Sequence, residues 1–153
     1  MSRFYPAILG ACLSTSLGLP ALADTLVSKT SPHDVATTVD RLAAAVEGAG
    51  ANVIARVDHA GAAEKAGLEL PPTQALIFGN PALGSLVMQD NPAAGLDLPM
   101  RVVVFEDKGG AVQVVYRDPS ELRASHDLPS DAEYLKKMTG ALGKLTDAAI
   151  AAE

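Results

Sequence analysis

Met100-Arg101-Val102-Val103-Val104-Phe105-Glu106-Asp107-Lys108-Gly109-Gly110-Ala111-Val112-Gln113-Val114-Val115-Tyr116-Arg117 is the stretch on which the fold turns. Residues 100–105 and 111–117 are rich in Val, with Phe and Tyr, side chains that pack well on a pleated surface. Between them, Asp107-Lys108-Gly109-Gly110 carries the residues of a tight reversal, so the two runs are predicted to form a β-hairpin. Upstream, Leu98-Pro99 introduces the first strand of that hairpin, and Thr73–Phe78 is an earlier strand stopped by Gly79-Asn80-Pro81. The same triplet starts a helix predicted over 82–89, and Asn91-Pro92 repeats the signal for a shorter turn. Farther upstream, residues 51–57 alternate as a strand with Val53, Ala55 and Val57 on one face. Asp58-His59-Ala60-Gly61 then turns the chain, and residues 62–66 make one helical turn before Gly67.

The two ends of the chain supply the long helices. After a short strand over 25–29, Val35, Val39, Leu42 and Val46 recur at the helical period, with Ser31 as the expected N-cap, Pro32 at the first helical position and Gly48 and Gly50 as the stop. Ser130 and Glu133 read as a capping box for a last helix with Leu135, Met138, Leu142, Leu145 and Ala149 on one face. The order is β-α-β-β-(short α)-β-β-α with mostly short connections. This predicts an α+β fold: a largely antiparallel sheet covered on one face by two long helices.

The first 23 residues read as an export signal. Arg3 supplies the cationic start, residues 6–22 are mostly apolar, and Ala21-Leu22-Ala23 is a small-x-small cleavage site before Asp24. Pro6, Gly10, Gly18 and Pro20 argue against a buried helix there. The run is too short, and too interrupted by Ser14, Thr15 and Ser16, for a permanent membrane span. Leu9-Gly10-Ala11-Cys12 resembles a lipoprotein processing box, but it lies close behind Arg3, and cleavage after Ala23 is preferred. Residues 24–153 are then a single α+β domain, periplasmic or secreted. That domain contains no cysteine, so thiol catalysis, disulfides and thiolate metal sites are excluded on this reading.

Of the 153 residues, 48% are apolar and 20% charged, which suits a packed core rather than disorder. The formal charge of −6 disfavours nucleic acid and anionic membrane surfaces as partners.

Val57-Asp58-His59-Ala60, Gly67-Leu68-Glu69-Leu70-Pro71-Pro72-Thr73, Leu76-Ile77-Phe78-Gly79-Asn80-Pro81, Leu98-Pro99 and Tyr116-Arg117-Asp118-Pro119 occur in this order. Together they resemble the prokaryotic family catalogued as domain of unknown function 302, over about residues 25–149. The most specific element is the pair of Asp-His and Phe-Gly-Asn-Pro blocks at this separation. The resemblance implies a β-α-β(4)-α fold of TATA-binding-protein-like shape, often dimeric. It implies no established activity.

Two blocks are candidate ligand-binding residues: Asp58 and His59, and Phe78, Gly79, Asn80 and Pro81. Histidine serves as a metal ligand or acid–base group near neutral pH. A lone histidine with no second ligand nearby is more simply a turn residue; His33, expected in a helix first turn, and His126, expected in a loop, are not at ligand spacing to it. Glycine permits close backbone approach, and a helix begun at Pro81 would present N–H groups to an anion. Punctuation explains the same residues: Asn caps and Pro starts the helix. If the strands at 51–57 and 73–78 are antiparallel neighbours, His59 and Asn80 lie at opposite ends of the sheet, Asn80 with Arg101 and Asp118, His59 near the 107–110 hairpin. No serine has a nucleophile-elbow context, and Met88, Met100 and Met138 are spaced as core fillers. The expectation is a non-catalytic module that binds a small ligand or a partner, with no cofactor identified. The alternative is a haem- or metal-binding protein, or a redox enzyme, using His59.

Overall fold

The computed structural model describes residues 26–152, so the export segment and its cleavage site lie outside the described residues. The elements run β1 (Leu26–Ser31), α1 (Val35–Gly48), β2 (Asn52–Asp58), α2 (His59–Lys65), β3 (Thr73–Gly79), α3 (Pro81–Asp90), a 3-10 turn (Pro92–Leu96), β4 (Met100–Glu106) and β5 (Val112–Arg117). A second 3-10 turn (Pro119–Glu121), α4 (Leu122–His126) and α5 (Glu133–Ile150) complete the order. The predicted hairpin is β4–β5. Its loop is built by Asp107, whose Oδ1 accepts the N–H groups of Gly109 and Ala111, while Gly110 takes a left-handed φ of 80°.

All strand pairs are antiparallel, in the order β1-β5-β4-β3-β2. Alternation along β4 and β5 sends Val102, Val104, Val112, Val114 and Tyr116 to one face. There they meet Val35, Val39, Leu42 and Val46 of α1 and Leu142 and Ala149 of α5. The two long helices thus cover one face of the sheet, as their apolar stripes require. Val57, Ile77, Val103, Phe105 and Val115 point to the other face and stay half-buried.

Four expectations are corrected. Asp34, not Ser31, caps α1: its side chain accepts from Thr37 N–H. Ser31 still belongs to β1, opposite Val112, so helix cannot begin until the chain has left the ladder; its Oγ instead accepts from His33 N–H. His33 therefore precedes the helix. The Ser130–Glu133 box is not formed, since α5 begins at Glu133 behind Ala132 with no side-chain cap. In β2, Val53 pairs with Phe78 and Ala55 with Ile77, so Ile54 is an unpaired bulge residue. The bulge reverses the alternation: Val53 packs on the helix side, whereas Ala55 and Val57 face outward. In α5 the buried stripe also takes Thr146, while Leu145 packs half-buried against the same core. Thr146 tolerates burial because its hydroxyl donates to Leu142 O and receives Lys29 Nζ.

Candidate functional site

The Phe78-Gly79-Asn80-Pro81 block forms the corner where β3 hands over to α3. Asn80 is extended and its Oδ1 accepts from Ala82 and Leu83 N–H, while its carbonyl takes Leu83 and Gly84 N–H. Pro81 has no N–H to offer. The first-turn donors of α3 are therefore committed, and the expected seat for an anion at this helix start is not available. Punctuation is the first role of this block.

The corner also opens onto a cavity of about 450 Å³. Phe78, Met100 and Leu142 belong to or pack against the sheet core and line it from below. Leu83, Gly84 and Met88 of α3 and Met138, Ala141 and Leu145 of α5 form the flanking walls; Asn52 and Ile54 close the side toward β2. Among the described residues lining it, no side chain is charged or titratable; Asn52, Asn80 and Ser85 are its polar side chains. Met138 is a core filler, but Met88 is 38% exposed and all three described methionines line this one cavity, which linear spacing did not reveal. Ile54 is another residue missed, an apolar side chain out of phase with the buried face of β2.

Tyr134 of α5 and Asp90 at the end of α3 tie the cavity's two helical walls together, the phenol donating to Asp90 Oδ2 at 2.6 Å. Burial of the phenol, and then that hydrogen bond, push the Tyr134 pKa up to about 12. The folded state holds this proton more tightly than the unfolded chain. Its contribution to stability is thus complete below about pH 10 and is lost as pH rises toward 12. Alkaline unfolding of the wild type compared with Tyr134→Phe checks this: the variant is expected to show a shallower loss of stability over that window.

Asp58 and His59 lie elsewhere. β2 runs antiparallel to β3, so Asn52 faces Gly79 at the cavity end and Asp58 faces Gln74 at the other. Asp58 caps α2 by accepting Gly61 N–H, and His59, first residue of α2, is exposed with no hydrogen-bond partner among the described residues. The two blocks do not share a site. His33 Nε2 contacts Ala151 O, and His126, at the end of α4 rather than in a loop, sits 2.7 Å from Asp97 Oδ2. Among the described residues no three His, Cys, Asp or Glu side chains group as a metal site. Arg101 and Asp118 do lie at the Asn80 end, but they line a separate cleft of about 600 Å³ that also includes Val103 and Val115 of the outer sheet face.

The family model for the domain of unknown function DUF302 matches residues 27–145. The chain belongs to the DUF302 family. A crystal structure of an uncharacterised conserved DUF302 protein from Bacillus stearothermophilus superposes with a TM-score of 0.75 at 20% identity, covering 83% of this chain and 99% of that one. At that identity the likeness speaks for the DUF302 fold alone. Two curated relatives are 43% identical over 122 residues, or 79% of this chain. One is named fluoride-specific ion channel FluC 1, from Brucella suis, and the other fluoride-specific ion channel FluC 2, from Brucella melitensis. The match covers 48% and 45% of those proteins, so this DUF302 chain spans about half the length of the curated relatives it matches.

Proposed function

We propose that this DUF302 chain is an exported, non-catalytic binding module whose ligand site is the cavity at the β3–α3 corner. The observation that carries the reading is the cavity's chemistry: a concave, almost wholly apolar space of ligand size, bordered by Phe78, Gly79, Asn80 and Pro81. General acid–base or nucleophilic catalysis needs titratable groups within reach of the reacting atoms, and the lining has none. The test uses N-phenyl-1-naphthylamine, an uncharged reporter that brightens in apolar surroundings. It is expected to brighten with the wild type and to stay dark with Gly84→Leu. A Cβ at Gly84 has room, its nearest heavy neighbour Leu98 Cδ1 being 4.0 Å away, so the added side chain fills the cavity rather than distorting α3. A dark wild type, or equal brightening by both proteins, overturns the reading. Export carries its own test: the intact mass of protein recovered from the envelope is expected to begin at Asp24, and a lipidated Cys12 or an intact Met1 overturns it.

A second reading, a protein partner, is favoured by the length of the FluC relatives. A channel needs membrane spans, and no helix among the described residues is long and apolar enough to cross a membrane. The channel activity in those names is therefore ascribed to their other half, and the matched half to an appended domain. The half-buried outer sheet face, with Val57, Ile77, Val103, Phe105 and Val115, is the surface offered to such a partner or to a second copy. The haem- or metal-binding alternative has less support, because His59 stands alone and exposed.

A further inference from the structure

Resting on that reading of the cavity, we propose that its ligand is an uncharged lipophilic molecule carrying a hydrogen-bond-accepting oxygen, such as a ketone or ester, which the Asn80 amide receives. The lining has no charged side chain, and the N–H groups at the start of α3 are bound to Asn80 itself. A carboxylate or ammonium entering here would leave water and find no counter-charge, a cost that an uncharged oxygen escapes. The cap also settles which half of the Asn80 amide is free. With Oδ1 held by Ala82 and Leu83 N–H, the remaining polar group is the Nδ2 donor, which has no partner among the described residues. The amide that starts the helix thus keeps its donor for an acceptor in the cavity it borders. The rest of the ligand meets Met88, Met100 and Met138, whose unbranched side chains adapt to different shapes.

The experiment displaces N-phenyl-1-naphthylamine from the full chain with 2-decanone or with decanoate, molecules of equal chain length that differ in charge. The ketone is expected to compete at least about tenfold better. Asn80→Asp separates the capping role from the binding role, because aspartate caps a helix as well as asparagine but cannot donate. That variant is expected to melt within a few degrees of the wild type and to bind 2-decanone about tenfold more weakly. Decanoate competing as well as the ketone overturns the proposal, as does unchanged ketone binding by a folded Asn80→Asp. Both outcomes leave the cavity reading standing, since that fails only if the reporter ignores the wild type or fails to distinguish it from Gly84→Leu. Should Asn80→Asp not fold, the ketone–decanoate comparison on the wild type still decides.

Discussion

Replacing Leu142 by alanine is expected to destabilise the protein by ~2–5 kcal/mol, the range for deleting a buried leucine side chain. Leu142 is 2% exposed and sits in the core between α5 and the sheet. Its side chain also lines the cavity, so truncation enlarges a space that already exists and the neighbours gain no reason to collapse into it. Lys137, one turn and a residue earlier on the solvent side of α5, is the control, and its alanine variant is expected within about 0.5 kcal/mol of the wild type. Urea titrations of the two variants check this. Equal shifts would mean that the phase of α5 is wrong, and with it the assignment of the cavity wall.

Lys29→Met is expected to cost about 1.5–3 kcal/mol, the scale of hydrogen bonds to a charged group. Lys29 lies on β1 on the helix-covered face, with a side chain only 20% exposed. Its ammonium donates to Gly143 O at 3.0 Å, Thr146 Oγ1 at 2.7 Å and Asp147 Oδ1 at 2.6 Å, and stands 5.9 Å from the centre of the Tyr116 ring. One cation thereby fastens the first strand to the last helix and satisfies the buried Thr146. Methionine keeps the apolar stem but none of the donors. Asp147, 68% exposed, is expected to contribute less than about 1 kcal/mol when replaced by alanine. If Asp147→Ala costs as much as Lys29→Met, the ion pair rather than the buried hydrogen bonds holds this seam.

The position of Asn80 shows why the family's fold is easier to read than its site. One amide starts α3 and borders the cavity, and a substitution that removes both roles at once, Asn80→Ala, cannot tell them apart. Asp58 has the same double look, yet its cap on Gly61 is all that the structure finds for it.

Periodicity and turn residues determined the order of the five strands and the two long helices, the hairpin at 107–110, the buried stripe of α1 and the placement of His59 and Asn80 at opposite ends of the sheet, but not the short helix α4. These depend on local spacing and on the rule that antiparallel neighbours reverse direction. What neighbours in space decide was not legible. Ile54 bulges because the register with β3 slips there, Ser31 stays in the ladder because Val112 faces it, and Thr146 is buried because Lys29 arrives from a strand 117 residues away. The cavity belongs to this second class. Met88, Met100 and Met138 lie on three different elements, and only the packing of α3 and α5 against the end of the sheet brings them to one cavity.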